Sequence, residues 1–340
     1  MNEMKVVYIF RPKGKAFSIE RVFKPVMDVV GKQEGVLVEE SHSEIRRGFV
    51  GTLWANIRKY AKMSRTGALC HITCEVRYCA IFMRKSHTIL TTHDTMSLRN
   101  SEAPWYARWY AYWFQFYFPM RRLKYLTCIS EATKKELVSY FPWCENKLRI
   151  IRNPIDNAFA FKEKPFDAKR PVILNIGTKS NKNLVRVAAS LQGLPCHLRI
   201  VGKLSGEQEK ALADNHIDYS SVSNLTDEEI IREYENCDIL SFPSLFEGFG
   251  MPIIEAQTVG RPVVTSNREP MQSVAGGGAV LVDPESVEDI RRGFLQLIND
   301  ETLRQKCVRL GLNNIQNYRP ESIARQYMDL YKEIEQNEHH

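Results

Sequence analysis

The sequence predicts an α/β protein made of two doubly wound, Rossmann-like domains. Short apolar runs of strand length, rich in β-branched residues, alternate with helix-length stretches along the chain. The alternation breaks at Arg152-Asn153-Pro154-Ile155-Asp156 and then restarts. The third observation is length: 340 residues exceed the usual single domain of about 100 to 200. With 44% hydrophobic and 26% charged residues, the composition supports buried cores and excludes fibrous and disordered classes.

In the first half, Lys5 to Phe10 reads as a strand, breaks at Arg11-Pro12-Lys13-Gly14 and resumes helically from Ser18. Further strands are predicted at Gly35–Glu39, Ala68–Cys70, Thr88–Thr92 and Tyr125–Ile129, separated by stretches able to form helices. In the second half, strands fall at Val172–Ile176, His197–Val201, Ile239–Phe242, Pro262–Thr265 and Ala279–Leu281. Helices are expected at 182–192, 206–214, 227–236, 251–259 and 286–298. The domains expected are therefore 1–152 and 153–319, with a terminal helix over 320–336 free to pack back on the first. No repeat of 20 to 50 residues is present, which excludes a solenoid.

No apolar run reaches the roughly 18 to 20 residues of a spanning helix, and a cytoplasmic chain is expected. The eight cysteines form no regular framework, so disulfides are not expected, and the spacing of Cys70, His71, Cys74 and Cys79 fits no standard zinc pattern. Charge is uneven. Residues 1–152 hold 26 basic against 13 acidic side chains, and 153–340 hold 21 against 27. A basic half of this kind meets phosphate, a membrane surface or nucleic acid, or is simply solvated.

The segment with most chemical content is Ser241 to Glu255, SFPSLFEGFGMPIIE: a strand end, a Gly-containing loop, then a helix from about Met251. Pro252 sits in the first turn, where its missing N–H costs nothing. Amides around Gly248, Phe249, Gly250 and Met251 then face the loop mouth and make an anion site. Glu247 on the loop and Glu255 two turns into the helix are spaced to flank a phosphate-linked group. A second reading, with Glu255 paired to a surface lysine and the glycines as turn residues, stays open on periodicity alone.

These residues carry a resemblance. From Tyr234 to Pro284, with FPSLFEGFGMPIIEAQTVGRPVVTSN and LVDP, the chain resembles the nucleotide-sugar site of the retaining glycosyltransferases of family four, which have the GT-B fold of two Rossmann-like domains facing across a cleft. CISEATKKEL at 128–137, IIRNPID at 150–156, NIGTKSNKNL at 175–184 and LRIVGK at 198–203 extend it through most of the second half, while the first half matches in fragments. The resemblance implies that Glu247, first of the E-x7-E pair, lies by the donor sugar and that Glu255 binds the nucleotide ribose. It implies Lys182 on the diphosphate, with Lys179 a candidate for the family's arginine in a loop one residue shorter than the common pattern. It also implies His93 beside the reacting carbon and Gly14 where backbone amides approach the diphosphate; His71 and His87 are read as structural. The activity implied is retaining transfer from a nucleotide diphosphate sugar to a saccharide or lipid-linked saccharide acceptor, in bacterial surface polysaccharide or glycolipid synthesis. No metal or other cofactor is expected, because amides and cations take the metal's charge role.

The sequence also admits two alternatives: a sugar-nucleotide epimerase or phosphorylase on the same fold, and a basic nucleic-acid-binding protein. The second has the charge but no recognition motif, so nucleic acid is not expected as a partner. The run 104–124, PWYARWYAYWFQFYFPMRRLK, places Trp105, Trp109, Trp113 and Phe116 at helical spacing before Arg121, Arg122 and Lys124. It reads as a core helix, an acceptor wall or a contact with an anionic membrane.

Overall fold

The fold is described from a computed structural model, covering residues 3–12, 18–99 and 102–337. The chain divides into two units, Met1–Asp156 with Pro320–His340, and Asn157–Arg319. Each is built on a six-stranded sheet whose neighbouring strands all run parallel.

In the first unit the strands are β1 (Met4–Phe10), β2 (Val36–His42), β3 (Leu69–Ile72), β4 (Thr88–Thr92), β5 (Tyr125–Cys128) and β6 (Leu148–Ile150), in the order β2-β1-β3-β4-β5-β6. β3, β4 and β5 are buried at every position, the pattern of strands covered on both faces. One face packs under the helices Ser18–Val30 and Pro320–Gln336, where Phe23 and Val26 meet Ile323, Tyr327 and Tyr331 over Tyr8 and Leu69. Tyr331 donates to the Tyr8 hydroxyl at 2.8 Å and meets His71 Nδ1 at 2.9 Å, while His71 Nε2 meets Thr91 at 2.6 Å. His71 is thus a satisfied core side chain, its pKa pushed down to about 3 by burial. The cysteines around it, Cys70, Cys74 and Cys79, are buried too, and all eight cysteines of the chain are free thiols.

In the second unit β7 (Val172–Ile176), β8 (His197–Val201), β9 (Tyr219–Val222), β10 (Ile239–Phe242), β11 (Val263–Ser266) and β12 (Val280–Val282) run in the order β12-β11-β10-β7-β8-β9. The chain builds outward from β7 in one direction and returns to build outward from β10 in the other. The loops after β7 and β10 therefore leave the carboxyl edge at the switch point, where open α/β sheets bind ligands.

Four elements escape the sequence pattern, one of them the short helix Met271–Ala275. β6 and β9 are short edge strands, and β9 reads YSSV with two serines where a buried strand has aliphatics. The helix Glu301–Asn314 buries only Cys307, Gly311 and Asn314, too sparse a stripe to announce itself. It starts where Asp300 accepts a hydrogen bond from the Leu303 amide at 2.9 Å. Gly311 is required by packing, because a Cβ there would stand 2.9 Å from Gln257 Cγ. Gln257 in turn accepts from Asn314 at 2.9 Å and donates to the Ala275 carbonyl at 2.8 Å, which fixes the helix Met251–Val259 from its buried side.

Candidate functional site

Two sets of residues gather at the carboxyl edges of the two sheets. In the second unit the chain leaves β7 through Gly177 at φ +88°, a left-handed position suited to glycine. The Lys182 stem lies over it, and a Cβ on Gly177 would stand 3.1 Å from Lys182 Cε. A single 3-10 turn, Ser180–Lys182, ends at Asn183 with φ 63°. Asn183 is buried and donates to the carbonyls of Pro243 at 3.0 Å and Pro284 at 2.6 Å. Asn181 accepts the Leu245 amide on its carbonyl at 2.8 Å and donates to Phe246 O at 3.0 Å. The loop after β7 is thereby stitched to the loop after β10.

That stitching brings Lys182 onto Glu247. The ammonium donates to Glu247 Oε1 at 2.7 Å, Asn181 Nδ2 donates to the same oxygen at 3.2 Å, and Lys182 also lies 4.5 Å above the Phe242 ring. Both side chains are mostly covered, with 17% and 14% of their surface exposed. The lysine expected on a diphosphate and the carboxylate expected by a sugar are each other's partners. Lys179 is exposed and makes no ion pair among the described residues.

The helix Met251–Val259 begins at Gly250, whose φ of 111° admits glycine and little else. Pro252 stands in its first turn as expected. Phe249 is buried against Tyr318, ring centres 5.9 Å apart, so the loop backbone is held from behind. Of the amides in its first turn, Pro252 carries none and Ile253 donates to the Gly250 carbonyl at 3.0 Å, which leaves that of Met251, and the dipole adds partial positive charge at that end. Glu255 is partly buried one turn in, not two, and Tyr234 donates to its Oε2 at 2.6 Å. Tyr234 is thus one partner of the Glu255 carboxylate. Asn181, Asn183 and Tyr234 were not legible as site residues, because each acts through a contact made only by the tertiary fold.

In the first unit, His93 follows β4 and donates from Nε2 to the Thr73 carbonyl at 3.1 Å, which leaves Nδ1 unprotonated. Burial, then the nearby Arg77 charge, pushes its pKa down to about 4, so the ring is neutral at physiological pH. Phe23 packs edge-on at 5.8 Å. Arg77, 5% exposed, lies 4.4 Å over the Phe116 ring and has no partner for its Nε, while Arg11 pairs with Glu75 at 2.7 Å. Gly14 lies outside the described residues. Among the described residues no group of three His, Cys, Asp or Glu side chains is placed to hold a metal ion.

The run 104–124 is helical, with Trp105–Tyr110 and Phe118–Arg122 flanking a π-helical stretch, Ala111–Tyr117. Phe116 and Met120 are core, but Trp105, Tyr106 and Trp109 are exposed.

Residues 156–313 match the model for glycosyl transferases group 1, and residues 46–159 match that for Glycosyltransferase Family 4. The chain belongs to this family of GT-B glycosyltransferases. Among curated relatives, O-antigen chain mannosyltransferase B of Escherichia coli is 33% identical over 106 residues, covering 31% of this chain and 28% of that protein. The chain thus spans under a third of that relative's length. A glycosyltransferase of Rickettsia africae superposes with TM-score 0.76 at 17% identity, over 99% of this chain and all of that one. Anabaena HepE, solved in complex with UDP and glucose, gives TM-score 0.72 at 15% identity, over 97% and 100%. At such identities these two structures speak for the fold.

Proposed function

We propose that the chain is a retaining glycosyltransferase that moves a sugar from a nucleotide diphosphate sugar to an acceptor hydroxyl in bacterial surface polysaccharide or glycolipid synthesis. The observation that carries the reading is the Lys182–Glu247 pair at the switch point, beside the amino end of the helix Met251–Val259. A cation and an anion one hydrogen bond apart suit a ligand whose diphosphate and sugar need opposite charges in adjacent places. An arriving diphosphate recruits the Lys182 ammonium and the Met251 amide, and Glu247 is released toward the sugar. Glu255, held by the Tyr234 hydroxyl, binds the ribose hydroxyls.

In the transfer, the bond between the anomeric carbon and the phosphate oxygen breaks and the acceptor oxygen bonds to that carbon on the same face. The acceptor proton passes to the departing phosphate oxygen. Lys182 and that amide stabilise the leaving diphosphate, and Glu247 the positive charge that develops on the sugar. His93, neutral and with Nδ1 free to accept, serves as a hydrogen-bond acceptor for the donor sugar. Lys179 adds a donor for the diphosphate, and no metal ion takes part. The acceptor is a saccharide or lipid-linked saccharide, and the basic aromatic run 104–124 gives peripheral contact with an anionic membrane at the cytoplasmic face. The relative named for O-antigen mannosyl transfer and the neighbour solved with UDP support the acceptor and donor classes.

A thermal-shift panel of UDP, GDP, ADP and their sugars tests the reading, since a ligand that binds the native state raises its melting temperature. A rise with one nucleoside diphosphate and its sugar is expected. No response to any of them would remove the donor site.

A further inference from the structure

Residues 45–65, IRRGFVGTLWANIRKYAKMSR, contain six lysines and arginines and no carboxylate. The helix Phe49–Met63 starts at Gly48 with no side-chain cap, and its amino end carries Phe49 and Val50 instead of polar residues. Phe49 is 67% exposed and Trp54 56%. Along the exposed side Val50, Trp54, Arg58 and Lys62 follow at four-residue spacing, apolar first and then basic. The opposite side, with Asn56, Ile57 and Tyr60, is buried in the first unit. A soluble helix that hides nothing on its outer face has no use for Trp54 and Phe49 there, and apolar groups massed on one surface mark an interaction site.

The same signature recurs beside it. Residues 104–124 hold four cations and no carboxylate, and Trp105 is 77% exposed. The two segments touch: the Phe49 ring meets Tyr110 at 5.7 Å, and Tyr110 stacks on Phe114 at 5.7 Å, which meets Phe118 at 5.6 Å. Arg46, Arg47 and Arg58 surround an open hollow of about 640 Å³ next to Trp54. Glu44 at its rim pairs with Arg46 at 2.6 Å and leaves Arg47 and Arg58 to an outside anion.

We infer that residues 45–65 are a second membrane anchor, which forms with 104–124 one docking face for an anionic phospholipid bilayer. Trp54, Phe49, Trp105 and Trp109 enter the headgroup and upper acyl region, and Arg47 and Arg58 hold headgroup phosphates at the hollow. This extends the membrane contact proposed above for 104–124 and is independent of the donor chemistry.

Co-sedimentation of the full chain with vesicles of phosphatidylcholine alone, and of phosphatidylcholine with phosphatidylglycerol, tests it. Binding to the mixed vesicles and not to the neutral ones is expected, with a loss on raising salt. A cation near such a surface is worth roughly fivefold in binding, so the loss of two in R47E/R58E should weaken it at least about 25-fold, and the two added carboxylates further. W54S should weaken it about fivefold with an unchanged melting temperature, as should W105S. If W105S abolishes binding while R47E/R58E and W54S leave it intact, residues 45–65 are no anchor and the 104–124 contact stands alone. Absence of vesicle binding by the wild-type chain overturns both. A dimer that W54S dissociates, with no binding to mixed vesicles, would make the face a contact between copies. Nucleotide binding by the same variants reports separately on the glycosyltransferase reading.

Discussion

Replacing Lys182 by alanine tests the donor site through a contact whose geometry is known. Its ammonium sits 2.7 Å from Glu247 Oε1, and the two side chains are 17% and 14% exposed, so solvent screens the pair only partly. At an effective dielectric of about 20 the gross attraction at that distance is about 6 kcal/mol, before desolvation is charged against it. On donor binding the ammonium exchanges one carboxylate for a diphosphate of higher charge, so only the difference between two good partners appears in the affinity. A charge-assisted hydrogen bond is worth a net ~1.5 to 3 kcal/mol. In Lys182→Ala the diphosphate loses that bond and meets an unpaired Glu247 carboxylate, so binding of the preferred nucleoside diphosphate should weaken by about 10- to 150-fold. Titration calorimetry with the nucleoside and its diphosphate measures it. The nucleoside alone, which lacks the charge, should bind wild type and variant alike. Equal losses for both ligands, or none for either, would take Lys182 off the phosphate and leave it as the structural counter-ion of Glu247.

Glu247→Gln should cut turnover by two orders of magnitude or more while donor affinity stays within a few-fold, because it removes charge at the reacting carbon and frees Lys182 for the diphosphate. Equal, small effects on binding and turnover would make the pair structural. Glu255→Gln should raise the donor Kd about fivefold or more with little change in kcat, read from the same titrations and initial rates. His93→Ala should lower turnover with little loss of stability near neutral pH. Because burial holds the folded pKa of His93 near 4, below the unfolded value of about 6.5, the unfolded chain takes up the proton first. Stability is fully present above about pH 6.5 and falls as pH drops toward 4, and denaturant midpoints of His93→Ala should fall less over that window; parallel curves would contradict the assignment. Turnover should also survive EDTA, and restoration by magnesium after a loss would overturn the metal-free account.

Much of the fold was legible because buried parallel strands advertise themselves. Thr88–Thr92 is an uninterrupted apolar or β-branched run, Val172–Ile176 and Ile239–Phe242 are broken only by Asn175 and Ser241, and the sheet uses all three at those bounds. β9 was illegible for the opposite reason: an edge strand of serines needs no apolar face, and pairing with β8 decides it. Within the site, the helix start at Met251 was legible from Gly250 and Pro252, which have one cheap use each. The partners of the two glutamates were not. Lys182 and Glu247 lie 65 positions apart, and nothing local distinguishes a lysine that reaches across a switch point from one in solvent. Tyr234 read as the end of a helix, and its hydroxyl finds Glu255 only because the helix Asp227–Asn236 ends beside the helix Met251–Val259. The exposed face of 45–65 has no signature in the sequence, because its tryptophan, phenylalanine and valine suit a buried helix equally well.

The central claim, retaining transfer from a nucleotide sugar at the Lys182–Glu247 site, is tested most directly without any acceptor. Incubated with an α-linked donor, the protein should use water slowly in place of the acceptor. NMR of the anomeric proton in the first minutes should show the free sugar released as the α anomer together with the nucleoside diphosphate. Glu247→Gln should suppress the release. Appearance of the β anomer first, or release that Glu247→Gln leaves unchanged, would contradict the account.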